Sequence, residues 1–202
     1  MGYPAFYDNV ETITLFDPLC DILGSYDDGV VTFAYKEIVK VAGHSCPTVG
    51  GAYLMAARAL EALYPESTPV RGEIKVEFKE DEKDGVAGVI GNVISNITGA
   101  TAHSGFKGLN GKFARHSLMF FNASIDSSAR FTRTDTGKSV DVYFNPNVVP
   151  PNPQMQPLMQ KVMMGQATAE EKQAFGKLWQ ERVERILCDN AKNEQLIKVV
   201  EI

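Results

Sequence analysis

Gly43-His44-Ser45-Cys46-Pro47-Thr48 sets an imidazole and a thiol two residues apart, directly ahead of a helix-favouring stretch. On extended backbone, positions i and i+2 point the same way, and a tight turn can also bring them together, so His44 and Cys46 can chelate one ion in either geometry. Imidazole nitrogen and thiolate sulfur are preferred ligands of zinc and other borderline-soft divalent ions, and a helix N-terminus favours the thiolate form. The same pair suits metal-free chemistry, with Cys46 as nucleophile and His44 or His103 as its base. It equally suits a small buried cysteine beside an ordinarily hydrogen-bonded histidine.

A metal needs at least one further donor. The other histidines are His103, in a glycine-rich stretch, and His116, in the β-prone run that follows. Loops held by a scaffold carry sites more often than mid-strand positions, so His103 is the expected third ligand and His116 an ordinary strand residue. Cys20 and Cys188 fall on amphipathic patterns and are expected in the core. The segment Gly105-Phe106-Lys107-Gly108-Leu109-Asn110-Gly111-Lys112 offers Lys107 and backbone amides to an anion. It has neither Walker nor dinucleotide spacing, and turns leading into a strand explain its glycines equally well. Met155, Met159, Met163 and Met164 recur at helical spacing and read as packing rather than as a copper site.

The elements that must position these residues follow from periodicity. Ile13, Phe16, Leu19 and Leu23 predict an amphipathic helix over residues 12–23, interrupted at Pro18. Residues 30–33 predict a short strand, and residues 35–42 a segment ending at Gly43. VGGAYLMAARALEALYP predicts the strongest helix, stopped by Pro65. Alternation from Val70 to Phe78 predicts a strand with one wet face. A charged turn follows, then a helix over residues 86–97 closed by Thr98-Gly99. FARHSLMFFNASI predicts a strand, and residues 129–135 and 139–144 predict a hairpin beside it. A proline linker at 148–153 delivers a C-terminal helical part whose start is the capping box Thr168-Ala169-Glu170-Glu171, with a closing strand near residues 195–202. The expected class is α+β, with helices packed on a mixed, largely antiparallel sheet.

Composition sets the boundaries. The chain of 202 residues is 44% hydrophobic and 22% charged, the profile of an ordinary folded domain. Its net charge of −5 gives no field to draw it onto nucleic acid or anionic lipid. Three cysteines at wide, irregular spacing make no disulfide scaffold, and no run reaches the ~20 apolar residues that span a bilayer. A cytoplasmic, non-membrane protein is expected.

GHSCP with a small-residue helix ending in ARALEALYP, the segment GNVISNITGAT, and the loop through GKF together resemble the FmdE family, which takes its name from a component of formylmethanofuran dehydrogenase. The likeness is clear over residues 30–125 and looser over GQATAEEKQAFGKLWQERVERIL. It implies an α+β core, a metal near the His-x-Cys turn, and often a dimer. The chain departs from the family pattern where members carry a cysteine shortly before an aspartate, then Thr-Gly-Cys-Thr. Here the corresponding positions hold Val89, Asn92 and Ala100. Many members end in a cysteine-rich zinc finger, which three scattered cysteines cannot supply. Nothing suggests a pterin or iron–sulfur site, so the complete dehydrogenase reaction is not expected of this chain alone.

The expectation is therefore a core over residues 1–150, and a C-terminal helical extension over 151–202 packed on that core or on a dimer partner. Zinc or another divalent transition metal is expected on His44, Cys46 and His103, with Thr98, in the wall implied by the resemblance, and Lys107 as cofactor contacts. A homodimer acting on or binding a small molecule in one-carbon or molybdenum/tungsten-linked metabolism is one reading. A metal-free Cys46 enzyme, or a non-enzymatic accessory module, is the alternative.

Overall fold

The computed structural model describes residues 2–202. In chain order it comprises β1 (Ile13–Phe16), α1 (Pro18–Ile22), β2 (Val30–Phe33), α2 (Tyr35–Ala42), α3 (Pro47–Leu63), β3 (Ile74–Phe78), α4 (Ala87–Thr98), β4 (Met119–Phe120), β5 (Ala129–Arg133), β6 (Ser139–Phe144), α5 (Met155–Met163), α6 (Ala169–Glu184) and β7 (Ile197–Glu201). Five strands form one sheet in the order β4-β3-β5-β6-β7, while β1 and β2 pair separately. Among the described residues, β3 and β4 are the only strands paired in parallel. The fold is α+β.

α3 is the central helix, and its sequence explains why. It is apolar nearly all round, the pattern of a helix covered on several sides, and it packs against β6, β7 and α4. Val49, Ala52, Met55, Ala56, Ala59 and Leu63 are fully buried. Burial of each large side chain here contributes about 1.5–3 kcal/mol. Gly51 lets the sheet come close, since a Cβ there would lie 2.2 Å from the Phe144 ring. The inward faces of β3, β5 and β6 supply Ile74, Val76, Phe131, Val140 and Val142 to the same cluster.

Four local expectations are corrected. Residues 12–23 are not one helix: Ile13 and Leu15 alternate inward on β1, paired with β2, and Asp17 then caps α1 by accepting from the Leu19 and Cys20 amides at 3.0 and 3.2 Å. Pro18 sits at the helix start, where its missing N–H is harmless. The strand expected from Val70 begins only at Ile74, because Gly72 turns the chain with φ 87°. The run 113–125 yields just two strand residues, interrupted by positive φ at Phe113, Ser117 and Asn122. The hairpin of β5 and β6 consequently lies beside β3 rather than beside β4.

The C-terminal helices are integrated with the core. Thr168 and Glu171 form the expected capping box, and α6 is followed by one π-helical turn, Arg185–Asp189. Val183, Ile186 and Leu187 enter the same hydrophobic cluster as the sheet. Met155 is buried, whereas Met163 and Met164 stay 73% and 67% exposed. Cys20 and Cys188 are half-buried rather than central, and burial raises both thiols above their ordinary range. Among the described residues, no helix is long and apolar enough to cross a membrane.

Candidate functional site

The His-x-Cys turn is built where α2 ends and α3 begins. Gly43, in the left-handed region with φ 75°, closes α2 and reverses the chain. His44 follows, exposed, with its Nδ1 3.0 Å from the Ala42 carbonyl. Cys46 is the N-cap of α3, in extended conformation, and its Sγ accepts the Val49 N–H at 3.4 Å. Thiols seldom take this position, usually held by Ser, Thr, Asp or Asn. Cys46 is only 8% exposed.

Ser45, between them, is gripped from two directions. Its hydroxyl lies 2.9 Å from the Tyr35 hydroxyl. Its carbonyl accepts from Trp179 Nε1 at 2.9 Å and from Gln180 Nε2 at 3.2 Å. Gln180 Oε1 in turn accepts from the Tyr7 hydroxyl at 3.2 Å. Burial holds the Tyr35 phenol protonated, far above its ordinary range. Tyr7 is also raised by burial.

His44 opens onto a cleft of about 300 Å³ between α2 and α4, lined also by Val41, Ala42, Val89, Asn92, Val93, Ser95 and Asn96. None of these side chains carries a formal carboxylate, ammonium or guanidinium charge. Val89 and Asn92, two of the positions at which the resemblance implies cysteine and aspartate, thus line the same cleft as His44. Ala100, the third, is completely buried.

The remaining expected residues lie elsewhere. His103 and Lys107 are exposed on the loop between α4 and β4. The glycines of that loop serve a tight turn in which Leu109 and Lys112 exchange backbone hydrogen bonds at 2.8 and 2.9 Å. His116 bonds Ser117 Oγ at 3.0 Å. Thr98 is fully buried, and its hydroxyl donates to the Ile94 carbonyl and accepts from the Ala100 amide. Among the described residues, no group of three or more His, Cys, Asp or Glu is gathered as metal ligands would be, so His44, Cys46 and His103 do not share one cluster.

Two features had no signature in the sequence. One is the clamp on Ser45, whose partners lie 134 and 135 residues away. The other is Asp17, 1% exposed, which bridges Arg71 at 2.8 Å and Arg115 at 2.6 Å. Arg71 also donates to the Asn96 and Ile97 carbonyls, both at 3.0 Å, and so fixes the C-terminal end of α4 beside the cleft.

Comparison with curated proteins finds no match to the chain. The family model described as FmdE, Molybdenum formylmethanofuran dehydrogenase operon, matches residues 41–197. That span starts just before His44 and runs into β7, taking in both the His-x-Cys turn and the helix that clamps it, and by it this chain belongs to the FmdE family.

Proposed function

We propose that this protein binds zinc or another divalent transition metal on His44 and Cys46, and holds a small neutral molecule in the adjoining cleft. The observation that carries the reading is Cys46 as N-cap of α3, its sulfur set at the positive end of the helix by the Val49 N–H, with an exposed imidazole two residues earlier. Imidazole and thiolate suit such an ion in type, and their number leaves positions open to water or ligand. When bound, the ion would supply a Lewis acid. Apart from His44, the lining of the cleft is uncharged, which favours a neutral ligand oriented by the Asn92 and Asn96 carboxamides. Such a role fits one-carbon or molybdenum/tungsten-linked metabolism, in line with the family description.

Protein stripped by chelator and reloaded should take up zinc, and the double variant His44→Ala/Cys46→Ala should lose it without losing its fold by circular dichroism. Full zinc retention in that variant would overturn the assignment. His103, exposed on the loop between α4 and β4 and apart from the pair, is the third donor to be tested. His103→Ala should weaken zinc binding at least about tenfold, the low end for a supporting contact, while His116→Ala should change it little. Unaltered affinity in His103→Ala removes the loop from the site.

A second reading takes Cys46 as a nucleophile with His44 as its base, and it is favoured by the same helix N-terminus. Elemental analysis separates the two, since only the first requires metal. We further propose a homodimer, supported by the exposed methionine pair at the end of α5. Light scattering should give about twice the 22.2 kDa of one chain, and a mass of one chain at all concentrations would remove the dimer.

A further inference from the structure

We infer that Trp179 and Gln180 of α6 are positioning residues for the His44–Cys46 turn, so that the C-terminal helix sets the geometry of the site. The inference rests on His44 and Cys46 being the functional pair. Ser45 stands between them, and the direction of its carbonyl fixes the peptide plane joining Ser45 to Cys46. That plane governs how the side chains on either side project. Both lone pairs of this carbonyl are engaged, by Trp179 Nε1 at 2.9 Å and Gln180 Nε2 at 3.2 Å. Gln180 is itself oriented by the Tyr7 hydroxyl, and the far side of Ser45 is held by Tyr35.

These bonds are not what attaches α6 to the molecule. Val183, Ile186 and Leu187, each 2% exposed or less, already anchor the helix and its π turn in the core. The clamp adds directional hydrogen bonds to that packing. By reciprocity, a ligand that fixes the turn tightens the seat of α6.

The test uses Trp179→Phe, which keeps a ring but loses the N–H, and Gln180→Leu, alone and combined. In metal-free protein, alkylation by iodoacetamide is followed at each cysteine by mass spectrometry. Cys46 should react faster by about 2–12-fold for each hydrogen bond lost, the range of a net hydrogen-bond contribution. Cys188, in the π turn directly after α6, reports undocking of the helix and should keep its rate. Equal acceleration at both cysteines would mean general loosening and would overturn the inference, as would no change at Cys46. Gln180→Glu, which cannot donate from a carboxylate, should behave like Gln180→Leu, whereas wild-type rates there would also overturn it. Zinc affinity, measured in parallel, should fall by a similar factor. If wild-type protein takes up no zinc, the metal reading fails while the alkylation result still decides the positioning role.

Discussion

Asp17→Ala lowers stability by about 3–5 kcal/mol, the cost of leaving a buried charge without its partner. Asp17 is 1% exposed, and it accepts from Arg71 Nη1 and Arg115 Nη2 as well as from the Leu19 and Cys20 amides. Arg71 retains the carbonyls of α4 as partners after the substitution. Arg115, with its side chain 7% exposed, loses its ion pair with Asp17. Urea denaturation checks the effect as a shifted midpoint at unchanged m-value, and a loss below about 1 kcal/mol would contradict the burial argument.

The same site predicts a pH dependence. Burial pushes the Asp17 carboxyl up, but the Arg71 bond and the charges of Arg115 and Arg71 outweigh it and hold the group below its ordinary range. The carboxylate therefore contributes in full above the unfolded value near about 3.9, and its contribution is lost as pH falls from there through the lower folded value. Asp17→Asn should accordingly narrow its deficit against wild type between neutral pH and about pH 3. A deficit that stayed constant would remove Asp17 from the acid response.

Gly72→Ala should be comparably damaging, for a reason that converges on the same cluster. Gly72 has φ 87°, and a Cβ there would lie 1.8 Å from Arg115 Nη1. The backbone strain alone costs about 1–3 kcal/mol. Moving the guanidinium away from Asp17 adds part of the penalty of the broken pair, giving about 3–5 kcal/mol in all. In an Arg115→Ala background the clash disappears, and Gly72→Ala should then cost only the strain. Additive losses in the double variant would show that the two residues do not communicate.

What the sequence revealed depended on how local the determinant was. α3 and α4 were legible because their apolar spacing and their stops, Pro65 and Gly99, lie within one element. β1 reads as helix because Ile13, Phe16 and Leu19 mimic helical spacing, while the strand depends on pairing with residues 30–33. The His44–Cys46 turn stood out through residue chemistry. Its cleft did not, because Val89, Asn92 and Asn96 are unremarkable until α4 is laid beside α2. Trp179 is half-buried on α6 and turns its N–H onto Ser45, through a contact that no periodicity encodes.

The position of β7 shapes how the chain must be made. α3 depends for its cover on β6 and on β7, yet the ribosome releases α3 long before either. A nascent chain therefore carries a helix greasy on nearly every side, with its sheath still untranslated. The cover of α3 is complete only once β7 has emerged. Synthesis of this protein should lean on a holdase at the tunnel exit, and a message broken ahead of β7 should yield a product that proteolysis removes rather than a working shorter form.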